Sequence, residues 1–208
     1  MMYLAIMADP IAQTLIRVLI LFLLMALVLF LMNHRFKSEQ EKKADAMQKK
    51  YKDMTKELLD ETPDNELMDA VAANLMAKLD KQTPDPYHTF ALLSPGRNQI
   101  YAVWVILNEM KNGGTFQYLL ASSSAPFCEP AADGMNRIGA VKCEAAIREA
   151  LSVEDEWEKL GECNEQFFSA LEEESPKDLC VQYIRENTSE FLDDTEEPAE
   201  IEQESSEE

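Results

Sequence analysis

From Val18 to Met32 the chain reads VLILFLLMALVLFLM, fifteen residues without one polar side chain. A helix on a soluble domain needs a polar face, and this run has none. Extended to Ile11–Met32, it predicts a helix of about 33 Å, long enough for the hydrocarbon core of a bilayer. Arg17 lies near the N-terminal edge, where its side chain can reach the headgroups. The run ends in Leu31-Met32-Asn33-His34-Arg35, with no small-residue cleavage pattern, so the sequence favours an uncleaved anchor over a signal peptide. Arg35, Lys37, Lys42, Lys43, Lys49, Lys50, Lys52 and Lys56 follow it, whereas only the terminal amine and Asp9 precede it. Positive charge stays on the cytoplasmic side. The expectation is a single-pass inner (plasma) membrane protein with residues 11–32 in the bilayer and the C-terminal domain cytoplasmic.

The rest reads as all-α. Residues 36–61 lack Gly and Pro, and Ala44, Met47, Tyr51, Met54 and Leu58 recur at heptad spacing over about two heptads. They fit either a single helical stalk, a helix lying on the domain, or a seam that pairs two copies as a homodimer or coiled coil. Thr62-Pro63 and Ser94-Pro95 read as helix starts, with a Pro-rich loop at 83–86 between them. Leu67, Val71, Leu75 and Leu79 stripe the first helix; Ile100, Val103, Trp104, Leu107 and Met110 stripe the second, which stops at Asn112-Gly113-Gly114. Further helices are expected over 128–138 with Gly139 as cap, 140–151, 154–173, and from Ser175-Pro176 to Phe191. Trp104, Trp157, Phe167 and Phe168 are assigned to the core. Little or no sheet is expected, because no run alternates apolar and polar residues.

Net charge is -20 over 208 residues. From Glu144 onward there are 23 acidic against 4 basic residues, so the C-terminal third carries nearly all of it. Nucleic acid is excluded as a direct partner by this field, which attracts basic proteins instead. Cys128, Cys143, Cys163 and Cys180 form no C-x-x-C pair, and two histidines are too few for a zinc site, so no metal or other cofactor is expected. Wide spacing suits buried free thiols. No nucleotide-binding loop, zinc-protease motif or nucleophile elbow occurs. The acidic runs Glu154–Glu156 and Glu172–Glu174 lack the wrapped loop of a tight calcium site and read as solvated faces.

Tyr101-Ala102-Val103-Trp104, Glu109, Asn112-Gly113-Gly114 with Gln117-Tyr118, Ser122-Ser123, Ile138-Gly139-Ala140 with Lys142, and Tyr183-Ile184-Arg185-Glu186-Asn187 resemble a family of small helical domains. Its best-described type is a bacterial DNA-mimic protein. The resemblance covers about residues 98–190. One departure is Thr115, where the family pattern usually carries an aromatic; Phe116 comes one place later. The resemblance implies an all-helical domain without a catalytic centre, whose carboxylates imitate DNA phosphates on the face of a DNA-binding protein.

The expected organisation is an N-terminal tail (1–10), a transmembrane helix (11–32), a charged helical stalk (33–61), a DNA-mimic-like domain (62–191) and a disordered acidic tail (192–208). The expected function is a non-catalytic, membrane-anchored protein that binds a basic partner, such as a DNA-binding protein. Glu154, Asp155, Glu156, Glu158, Glu172, Glu173, Glu174 and Asp178 are the candidate partner-binding residues. A toxin-neutralising protein or an enzyme of unrecognised type is the alternative.

Overall fold

A computed structural model describes residues 10–35, 39–79, 90 and 93–193. Every regular element among them is helical. The expected Pro-rich loop at 83–86, His88, and the tail from residue 194 lie outside the described residues. The chain divides into two compact units, residues 1–46 and 47–208.

The first unit holds helix α1 (Pro10–Arg35), which contains the whole apolar run. Its side chains from Val18 to Met25 are exposed, including Leu21 and Phe22. Among the described residues no helix is long and apolar enough to cross a membrane. Helix α2 is Glu39–Lys50. Glu39 and Glu41 sit in its first turn and Lys49 and Lys50 in its last, each sign matched to the helix dipole.

The second unit is built from α3 (Lys56–Glu61), α4 (Asp64–Lys78), α5 (Pro95–Lys111), α6 (Phe116–Ala121), α7 (Cys128–Arg137), α8 (Val141–Ser152), α9 (Trp157–Glu174) and α10 (Pro176–Glu186), with short 3-10 turns at Ala125–Phe127 and Thr188–Phe191. Helix α5 is central and packs on α7 and α4; α7 packs on α8, α8 on α9, and α10 on α4. Two of the expected helix stops are explained by their hydrogen bonds. Gly114 N–H donates to Glu109 O (2.9 Å) and Gly113 N–H to Met110 O (3.1 Å). Ala140 N–H donates to Met135 O (2.8 Å) and Gly139 N–H to Asn136 O (3.0 Å). Both are Schellman caps, with Gly113 (φ 86°) and Gly139 (φ 81°) in the left-handed position that glycine takes without strain.

One of the open alternatives is selected and two expectations change. Tyr51 and Met54 are fully buried, and Met47 and Leu58 pack against the same core. Four of the five heptad positions therefore pack on the domain of their own chain, because α2 ends at Lys50 and the backbone turns to bring Tyr51 and Met54 inward, while Ala44 stays exposed. Thr62 caps no helix start. It is the C-cap that follows α3, and its hydroxyl donates to Leu58 O (2.6 Å), while α4 starts two residues later at Asp64. Leu192 and Asp193, grouped with the tail by composition, belong to the fold. Asp193 N–H donates to Met54 O (2.8 Å). Its carboxylate accepts from Met54 N–H and Asn74 Nδ2 (both 2.7 Å). It also pairs with Lys78 and with Arg97 Nη2 (2.8 Å).

Candidate interaction surface

Helix α9 is amphipathic along its whole length. Leu160, Cys163, Phe167 and Ala170 are buried. On the opposite side Glu158, Glu162, Glu165, Ser169 and Glu172 recur every three or four residues, all exposed. That spacing sets them on one face, spread over about 21 Å of axis. Glu154, Asp155 and Glu156 are exposed in the loop that leads into α9, so they extend the same acidic end. Glu172 and Glu173 lie in the last turn of α9, and Asp178 in the first turn of α10. The eight residues expected from the sequence thus form two clusters at opposite ends of one 18-residue helix. Glu162 and Glu165, which sequence reasoning did not single out, fill the gap between them. Their i, i+4, i+7 spacing from Glu158 was the available signal.

Few bases offset this face. Lys159 pairs with Glu156 (2.8 Å) and Lys142 with Glu173. Arg148 is engaged by Asp133 and Glu144. Glu174 is different from its neighbours: half-buried, it accepts from the N–H groups of Lys142 (2.8 Å) and Cys143 (2.9 Å), capping the start of α8. Burial by itself would raise its carboxyl, but those backbone donors, with Cys143 and Lys142, hold it below the ordinary value. Glu174 is therefore a structural acid. Because its folded pKa is depressed, its stabilisation is present above the ordinary value of 4.5 and is lost as pH falls through the folded pKa. Urea midpoints measured down through pH 4.5 should fall more shallowly for Glu174→Gln than for the unaltered protein.

Two core assignments are corrected here. Trp157 is 73% exposed and Phe168 is 42% exposed, whereas Phe167 is fully buried. Phe168 lies one residue off the buried stripe of α9. Trp157 opens the helix at a point where the preceding acidic loop leaves no packed neighbour over its ring. Trp104 is half-buried, stacked on Tyr101 (5.7 Å between centroids), with Nε1 donating to Asp69 Oδ1 (2.7 Å).

The four cysteines are free and buried, as their spacing suggested. Burial pushes Cys128 up to about 11 and Cys180 up to about 12; burial and Glu174 push Cys143 up to about 12. Such thiols stay protonated at neutral pH and are poor nucleophiles. Among the described residues no group of three His, Cys, Asp or Glu side chains is arranged to hold a metal ion.

The family model described as DMP19-like protein matches residues 91–203, just over half of the chain. The chain belongs to the DMP19-like family. No curated protein and no solved structure matches it. In this DMP19-like chain the motif residues hold the fold together. Asn112-Gly113-Gly114 and Ile138-Gly139-Ala140 form the two Schellman caps. Arg185 donates to Leu59 O (2.7 Å), Thr62 O (2.5 Å) and Asp64 Oδ1 (2.7 Å), tying α10 to the α3–α4 junction. Tyr183 O–H donates to Glu190 and accepts from Arg137 (3.1 Å). Thr115, the departure from the family pattern, caps α6 by accepting from Tyr118 N–H (3.3 Å), and Phe116 beside it is buried.

Proposed function

We propose that this DMP19-like chain is a non-catalytic interaction protein whose acidic α9 face holds the basic, DNA-binding surface of another protein. The observation that carries this reading is the continuous exposed carboxylate face formed by Glu154, Asp155, Glu158, Glu162, Glu165 and Glu172. Four negative charges over about 21 Å of helix, with two more in the loop before it, present a partner with a line of acceptors where a nucleic acid would present phosphates. Association through such a face is fast and salt-sensitive.

The test uses the full chain in nonionic detergent as bait. A partner retained at low salt, released at about 0.5 M salt and displaced by duplex DNA supports the reading, because screening and phosphate competition act on the same contact. Neutralising the face (Glu154→Gln, Asp155→Asn, Glu158→Gln, Glu162→Gln, Glu165→Gln) should then weaken capture by at least about tenfold. A retained partner indifferent to salt, DNA and these substitutions would sink it.

We further propose that residues 11–32 anchor the protein in the membrane, with the acidic domain on the cytoplasmic side. Support comes from the sequence alone, in the fifteen-residue apolar run and the eight bases that follow the span. Anchored protein stays with the membranes in an alkaline carbonate wash. Release into the supernatant would refute the anchor and leave the α9 reading untouched.

A further inference from the structure

Trp157 is the most exposed large apolar side chain described. Its indole is 73% exposed, and Tyr118 on α6 is 58% exposed. The backbones of the two elements are locked together. Asn164 Oδ1 accepts from Phe116 N–H (2.8 Å), Asn164 Nδ2 donates to Gln117 Oε1 (2.9 Å), and Gln117 Nε2 donates to Trp157 O (3.2 Å). Beneath them Phe116 packs edge-to-face on Phe167, with centroids 5.4 Å apart. The fold thus fixes the aromatic residues' backbones and leaves the rings in water. Among the described residues no cation of the chain lies over the indole; the two cation–π contacts involve Tyr51 and Tyr183. Lys159, two residues away, is held by Glu156 (2.8 Å).

We propose that Trp157 is the seat for an arginine side chain of the basic partner, a proposal that rests on the reading of the α9 face as a protein-binding surface. Charge complementarity selects this occupant. Glu154, Asp155 and Glu158 flank the indole in the chain and are exposed. A second copy of this patch would set carboxylates against carboxylates, and anionic lipid or nucleic acid would be repelled. A guanidinium stacks on the indole face and donates to carboxylates at its edge, which a lysine ammonium does less well. The pre-fixed backbone lowers the ordering cost of the contact.

The probe is a nona-arginine peptide, titrated into the full chain in nonionic detergent. Binding is read by anisotropy of the labelled peptide and by fluorescence of a Trp104→Phe background, in which Trp157 is the remaining indole. Arginine peptide should quench Trp157, and nona-lysine should quench less. Trp157→Ala should weaken arginine-peptide binding about tenfold at about 0.15 M salt, with the salt slope unchanged because the carboxylates remain. Trp157→Phe, which keeps a ring, should lose less. If the peptide binds with its full salt dependence but Trp157→Ala binds equally well, the arginine seat is wrong and the acidic face stands. If the peptide fails to bind the unaltered chain, both fall.

Discussion

Asp193→Ala is expected to lower the stability of the C-terminal unit by about 3–5 kcal/mol, the cost of removing one partner from a buried ionic cluster. The carboxylate is mostly buried and takes four interactions from three separated parts of the chain, Met54 N–H, Asn74, Lys78 and Arg97, while the Asp193 backbone N–H adds a fifth to Met54 O. Alanine keeps only the last. Arg97 remains charged in a side chain that is 9% exposed. Burial, then the neighbouring Arg97 guanidinium, already pulls the Lys78 ammonium down to about 8. Urea unfolding at pH 7 reads the loss as a lower midpoint at unchanged slope. Asp193→Asn, which keeps acceptor capacity, should lose less. A midpoint for Asp193→Ala within error of the unaltered protein would show that the cluster contributes nothing.

Gly134→Leu should be of similar size, about 3 kcal/mol, through overpacking rather than charge. Gly134 is buried on α7 where that helix crosses α5, and a Cβ there would stand 2.7 Å from both Gln99 O and Val103 Cγ2. The carbonyl belongs to the α5 backbone and cannot rotate aside, so the two helices must part. Gly161 on α9 supplies the contrast. Nothing lies within 4 Å of its Cβ position and its φ is ordinary. Gly161→Ala should therefore stabilise by about 0.5–1 kcal/mol, the helix propensity difference. Thermal unfolding of the two variants should shift in opposite directions. A Gly134→Leu protein that melts with the unaltered one would remove the close α5–α7 approach.

The acidic face of α9 is partly legible in the sequence. Glu158, Glu162, Glu165 and Glu172 share a face because 3.6 residues make a turn, and that period is local. Composition places the charge beyond Glu144 but gives no means of separating Glu174 from Glu173. The two are adjacent and chemically alike, yet Glu174 caps α8 and Glu173 faces solvent beside Lys142. The difference depends on a helix that begins 33 residues earlier in the chain. The burial expected of Trp157 and Phe168 fails for the same reason. A large ring predicts burial only if the tertiary packing brings something to cover it.

The sequence by itself determined the helical character of the chain, its stops at Gly113 and Gly139, the buried thiols, and the concentration of carboxylates in the last third. Each follows from the properties of residues within a turn or two of one another. Only the tertiary structure decided that Tyr51 and Met54 are core rather than seam, and that Arg185 binds the α3–α4 junction. It also decided that Asp193 closes the domain from 139 residues beyond Met54. Those outcomes depend on groups far apart in the chain meeting in space. A periodic pattern fixes which side of a helix is apolar, but not what that side will meet.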